Sequence, residues 1–346
     1  MSYSIAILVL LAFCSSAHAT IVKEPKVVVI VIDGVRAQEW RGQAKDVSGR
    51  VLKTAELFPN IAALKEKSVF FSQMKVSNPA GISLPAYADI FAGRRQEKII
   101  NNDPKAEDFK SQYPTIFDVV KTGLKLKEND VALHSSWIKV CPVAGTEKFY
   151  RSCGWAPGKY VKPEFYGDSR SDMDTFLGVM RDVPKHHPRF LFVHFADADE
   201  EAHYQNTFQE ADDFDYGIFN YHKSLRESDH YLGRIWKMLQ SDAFYKDSTY
   251  LIVTTDHGRD NWPDANSWGS HGRCVSKHGA KELCSGCSSV FAMMTGPGIK
   301  ANTVPTPQSH IDIAPTIAML FGVSMPSAVG RPMDYLMSVP TRVGRK

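Results

Sequence analysis

The chain has 346 residues, 43% hydrophobic and 23% charged, which is enough apolar content for a sizeable core and excludes a disordered polyelectrolyte. A formal net charge of +3, with acidic and basic residues interspersed, leaves no basic footprint and excludes nucleic acid as the expected partner. No repeat and no Gly/Pro/Ser-rich linker divides the chain, so a single elaborated domain is expected.

In chain order, the apolar run from Ile5 to Phe13 leads to Ala17-His18-Ala19, small residues at the first and third positions. The pattern predicts a secretory signal over 1–19, cleaved after Ala19, and the run is too short to span a bilayer. The expectation is an exported protein, periplasmic or secreted, whose domain occupies 20–346 with no transmembrane segment after cleavage. Residues 26–32 form a β-branched run closing on Asp33-Gly34, the pattern of a buried parallel strand ending in a turn. Helical spacing follows over 59–67, 84–92 and 113–122. The stretch 134–174, with Trp, Gly, Pro, Tyr and two cysteines, reads as an irregular insertion that shapes a pocket or lid, or serves as a disulfide-stapled flap. Strand-like runs recur at 190–195 and 250–255, separated by a helical stretch at 216–239. Strands alternating with helices predict an α/β fold, a mostly parallel central sheet flanked by helices.

Five cysteines follow the signal. In an oxidising compartment Cys141 and Cys153 are expected to pair, as are two of Cys274, Cys284 and Cys287. The Cys284-Ser-Gly-Cys287 spacing sits in a loop-like stretch without a thioredoxin-like βαβ context, so a structural bridge is the preferred reading.

The chemistry-bearing residues fall at strand ends. Ligands of open α/β sheets bind beyond the carboxyl ends of the strands, where Asp33, Asp197 or Asp199, and Asp256 are expected. Each alone would be a turn former or helix cap; three together carry weight. Asp199 and His203, four residues apart, share one face of a helix. His257 adjoins Asp256, and Gly258 is expected to ease a tight turn. Trp268-Gly269-Ser270-His271-Gly272 supplies a third imidazole, in a fuller context than His278-Gly279. Three carboxylates and three imidazoles suit two divalent ions, Zn²⁺ ahead of Mn²⁺. Ser83 opens the 84–92 helix with Pro85 in its first turn, so it is either an ordinary N-cap or a nucleophile at an anion-favouring helix terminus.

Val31-Ile32-Asp33-Gly34, Ser83-Leu84-Pro85, Asp199 with His203, Asp256-His257-Gly258 and His271-Gly272 resemble, in order, the motifs of the alkaline phosphatase superfamily. Phe58-Pro59-Asn60-Ile61 resembles the helix before the nucleophile loop, and Ile311 to Thr316 with Gly322 the closing helix. The resemblance implies one metal on Asp33, Asp256, His257 and the Ser83 oxygen, and a second on Asp199, His203 and His271. It implies that Ser83 attacks a phosphate ester and that the phosphoserine is then hydrolysed. The expected function is an exported two-metal phosphohydrolase, a phosphodiesterase or phosphomonoesterase acting on a small-molecule, lipid or nucleotide phosphate ester. Alternatives are a phosphoethanolamine-type phosphotransferase, a sulfatase-like hydrolase and a non-catalytic metal-binding protein of the same fold. Against the sulfatase motif, which ends in Arg two residues after its Pro, this chain has Tyr87.

Overall fold

The computed structural model describes residues 22, 24–103, 110–154, 169–204, 211–259, 271–275, 281–283 and 286–333. The expected signal segment, 1–19, lies outside them. Nine strands form one sheet: Lys26–Ile32 (β1), Val69–Lys75 (β2), Val131–Ser135 (β3), Tyr150–Cys153 (β4), Phe190–Phe195 (β5), Thr249–Thr254 (β6), Ser289–Thr295 (β7), Asn302–Val304 (β8) and Gln308–Ser309 (β9). Their order is β8-β2-β7-β6-β1-β5-β3-β4, with β9 also on β2. Five neighbouring strands, β6, β1, β5, β3 and β4, run parallel, and β7 is antiparallel to both its neighbours.

All seven residues of β1 are buried, because both sheet faces are covered. Val27, Val29 and Val31 belong to one apolar cluster, with side chains of the helices Ser83–Ala92, Ile116–Gly123 and Ile313–Phe321. Val28, Ile30 and Ile32 belong to the other, with side chains of Asp172–His186 and Ala211–Ser241. The period-2 alternation of a strand splits one continuous apolar run between two cores. Burying a Val or Ile side chain contributes roughly 1.5–3 kcal/mol, so β1 anchors the sheet from both sides.

The stretch 134–174 carries more regular structure than its composition suggests: a short helix, Val140–Val143, and the edge strand β4. The expected Cys141–Cys153 disulfide is present and ties the two together across 12 residues. Of the other expected pair, Cys284 and the Cys274 side chain lie outside the described residues; Cys287 is buried. Replacing Cys141 and Cys153 together by Ser is expected to lower unfolding free energy by about 3 kcal/mol through the entropy of the unlinked loop, read as a lower urea midpoint. Among the described residues, no helix is long and apolar enough to cross a membrane.

Candidate metal centre and nucleophile

β6, β1 and β5 are adjacent and parallel, so their carboxyl ends lie side by side, about 5 Å apart. Asp33 directly follows β1, Asp256 comes two residues after β6, and Asp199 lies in the first turn of the helix Asp197–Tyr204 that follows β5. Strand adjacency therefore brings together three carboxylates that are far apart in sequence. Asp33, Asp199 and Asp256 are buried to 2%, 8% and 0% exposure.

His257 is the hub. Its Nε2 lies 3.4 Å from Asp33 Oδ1, 3.4 Å from Asp256 Oδ2, 3.8 Å from Asp199 Oδ1 and 3.1 Å from Ser83 Oγ. His203 Nε2 is 3.0 Å from Asp199 Oδ2 and 2.9 Å from His271 Nε2. The His271 ring stacks on His257 with centroids 4.1 Å apart. All seven residues expected from the sequence thus meet. Ligating atoms of Asp33, Asp256 and His257 lie within 4.8 Å of one another, as do those of Asp199, His257 and His271. His257 therefore touches both groups rather than the Asp33 group alone.

The hydrogen bonds show why a cation fits. The Gly258 carbonyl can only accept, so His257 Nδ1 carries the proton, at 2.8 Å, and Nε2 presents its lone pair to the carboxylates. One oxygen of each acid is satisfied. Asp33 Oδ2 accepts from the Tyr87 hydroxyl at 2.9 Å and from His194 Nε2 at 3.0 Å, while Asp256 Oδ1 accepts from Gly34 N at 3.1 Å. The other oxygens, Asp33 Oδ1 and Asp256 Oδ2, are buried without a hydrogen-bond partner. Two bare carboxylate oxygens and an imidazole lone pair converge, an arrangement of acceptors that a divalent ion neutralises.

The electrostatics agree. Burial, then the neighbouring Asp256, pushes Asp33 up to about 7; burial, then Asp199, pushes Asp256 up to about 7. Burial also acts upward on Asp199, but the Arg259 guanidinium and His203 outweigh it and hold that carboxyl well below the usual range. Asp199 raises His203, while burial lowers His257 and His271. A carboxyl raised in the folded state keeps its proton where the unfolded chain has lost it, so the folded state loses stability as pH rises between about 4 and 7. Addition of Zn²⁺ is therefore expected to raise the melting temperature of the metal-free protein at pH 8, where both carboxyls are ionised side by side, as differential scanning fluorimetry would show.

Ser83 is the first residue of the helix Ser83–Ala92, with Ile82 rather than Ser83 as its N-cap. Its backbone neighbour Leu84 N is already engaged by Asn102 Oδ1 at 2.9 Å, so one N–H expected to face an anion is taken. Gly258 is required by space, not by a left-handed turn. Its N–H donates to Cys287 O at 2.9 Å, and a Cβ there would meet Gly286 O. Gly34 does adopt a positive φ, 65°, and a Cβ on it would collide with Asp199 Oδ1. Asp197 is structural: its Oδ2 accepts Asp172 N at 3.0 Å, at the start of the Asp172–His186 helix. His278 lies outside the described residues.

Three further residues belong to the site. Arg259, fully buried, pairs with the Asp199 carboxylate and donates to its carbonyl at 3.0 Å. Its signal was adjacency to Asp256-His257-Gly258. His194 is a fully buried polar residue inside an apolar strand, which in itself marks a site; its Nδ1 meets Ser135 Oγ at 2.7 Å. Tyr87 gave no signal beyond standing where the resemblance expects Arg.

Fold and site together define a member of the alkaline phosphatase superfamily. The chain belongs to the Sulfatase family, whose model matches residues 25–323, and is a hydrolase of that sulfate- and phosphate-ester group. Its fold is similar to that of a candidate sulfatase from Bacteroides thetaiotaomicron, with a TM-score of 0.65, 14% identity, and coverage of 93% of this chain and 76% of that one. It is also similar to the phosphonate monoester hydrolase of Agrobacterium radiobacter, with a TM-score of 0.61, 15% identity, and coverage of 93% and 79%. The lipoteichoic acid synthase LtaP from Listeria monocytogenes shares the fold at a TM-score of 0.59 and 13% identity, over 91% and 76% of the two chains. A search of curated proteins found no match.

Proposed function

We propose that the protein is an exported two-metal hydrolase of phosphate esters that works through Ser83, with 1–19 as its cleaved signal. The observation that carries this reading is the convergence of Asp33 Oδ1 and Asp256 Oδ2, both without partners, on His257 Nε2, which lies 3.1 Å from Ser83 Oγ. Asp33, Asp256, His257 and Ser83 would hold one divalent ion and Asp199, His203 and His271 the other, Zn²⁺ ahead of Mn²⁺ for this nitrogen and oxygen set. Bound there, the two ions would offset the clustered negative charge, lower the pKa of the Ser83 hydroxyl and polarise the ester.

This chain's own residues supply the rest. Tyr87 and His194 hold Asp33, Gly34 N holds Asp256, and Arg259 holds Asp199, so the ligand set is oriented by neighbours before any ion arrives. Ser83, buried at a helix start, attacks phosphorus as the alcohol leaves, and water then hydrolyses the phosphoseryl enzyme. Two displacements give retention of configuration at phosphorus.

A second reading, sulfatase, draws support from the family match. Against it, the formylglycine motif that sulfatases use ends in Arg, and here Tyr87 stands there with its hydroxyl committed to Asp33. The test is a metal-reconstituted assay of p-nitrophenyl phosphate, bis-p-nitrophenyl phosphate and p-nitrophenyl sulfate side by side. Phosphate-ester turnover abolished by chelation supports the proposal, and the two phosphates separate monoesterase from diesterase. Sulfate turnover equal to or above phosphate would transfer the assignment to the sulfatase branch. No turnover of any ester with metal bound would favour the non-catalytic alternative.

A further inference from the structure

A cavity of about 450 Å³ opens beside His271, with Asn78, Ile82, Pro85, Arg95 and Ile99 also in its wall. It therefore adjoins both the imidazole cluster and the residues flanking Ser83. That volume suits a small organic group. Ile82, Pro85 and Ile99 make it apolar, and no carboxylate is found among its described lining residues.

Asn78 is the unusual member. It is 3% exposed. Its Oδ1 accepts Ala80 N at 3.1 Å and Gly81 N at 2.8 Å, which holds the turn leading to Ser83 and orients the amide. Its Nδ2 is buried with no partner. A desolvated donor left unpaired costs about 1–3 kcal/mol, a cost that a ligand acceptor would remove. Arg95 adds a cation to the same wall.

We propose that this cavity is the subsite for the alcohol part of the ester, and that Asn78 Nδ2 donates to an anionic acceptor on it, with Arg95 as countercharge. The substrate class is then an ester of a compact, partly apolar alcohol carrying a carboxylate or similar acceptor. This rests on the ester-hydrolase reading above.

Asn78→Asp keeps the Oδ1 acceptor that Ala80 and Gly81 need and replaces the donor by an anion. In the metal-loaded full-length enzyme, the ratio of kcat/KM for 4-carboxyphenyl phosphate to that for phenyl phosphate is expected to fall by roughly tenfold to a hundredfold. The ratio for 4-(aminomethyl)phenyl phosphate to phenyl phosphate is expected to rise. Arg95→Gln should lower the first ratio and, by removing a cation that repels the ammonium, raise the second, each by less than Asn78→Asp does. Unchanged ratios in Asn78→Asp, whatever the absolute rates, would overturn the assignment. Calorimetry with 4-hydroxybenzoate separates the two claims: binding to Ser83→Ala, lost on adding Asn78→Asp, supports the subsite. If such binding were seen while no ester was cleaved by the wild-type enzyme, the hydrolase reading would fail and the subsite would stand. Absence of 4-hydroxybenzoate binding to Ser83→Ala would count against the subsite.

Discussion

Ser83→Ala is expected to lower kcat by roughly a thousandfold or more while leaving the fold intact. The substitution isolates chemistry because Ser83 does little structural work. It makes no side-chain cap, since Ile82 holds that position, and among the described residues its hydroxyl bonds only His257 Nε2 at 3.1 Å. Alanine at the first position of a helix is well tolerated, so the melting temperature should move little. The buried cluster of Leu84, Tyr87, Ala88, Ile90 and Phe91 continues to seat the helix. Steady-state kinetics with p-nitrophenyl phosphate, alongside a thermal melt, gives both numbers. Full activity in a folded variant would remove Ser83 from the mechanism.

Asp256→Asn should have opposite effects on the metal-free and metal-loaded protein. Its Oδ1 keeps the bond from Gly34 N, while Oδ2, the buried oxygen without a partner, becomes an amide donor facing His257 Nε2 and Asp33. Without metal, the change removes a carboxyl that burial and Asp199 push up to about 7, so the metal-free protein should melt at a higher temperature at pH 8. With metal, a charged ligand is lost. Metal content should fall by about one ion per chain, and turnover by roughly a thousandfold or more. Elemental analysis and melting curves of both forms check the pair of signs. A variant that kept full metal content and turnover would show that Asp256 is not a ligand.

What the sequence made legible follows from local physics. The runs at 26–32, 190–195 and 250–255 announced themselves because strands buried on both faces are mostly apolar along their whole length, and an acid follows each within two residues. Asp199 and His203 were readable through their helical spacing. Val69–Lys75 and Ser289–Thr295 carry polar or flexible residues, Ser72, Gln73, Met74, Met293 and Met294, which blur any period; their pairing with each other is purely long-range. The supports of the site were less legible for the same reason. Tyr87 lies 54 residues from the Asp33 it holds and His194 lies 161 away, so nothing in either neighbourhood specifies the contact. The central role of His257 depends on strand adjacency, which placed Asp199 within reach of it. Asn78 showed its value only once its amide was seen buried, bonded on one side and bare on the other.

In the proposed mechanism Ser83 acts as an unmodified hydroxyl nucleophile. The most direct test is mass mapping of the peptide containing Ser83, in the resting enzyme and after acid quench during turnover of p-nitrophenyl phosphate. An unmodified serine is expected at rest, and a phosphoryl adduct on Ser83 in the quenched sample. An aldehyde at that position in the resting protein, or turnover without any adduct there even when hydrolysis of the intermediate is slowed, would contradict it.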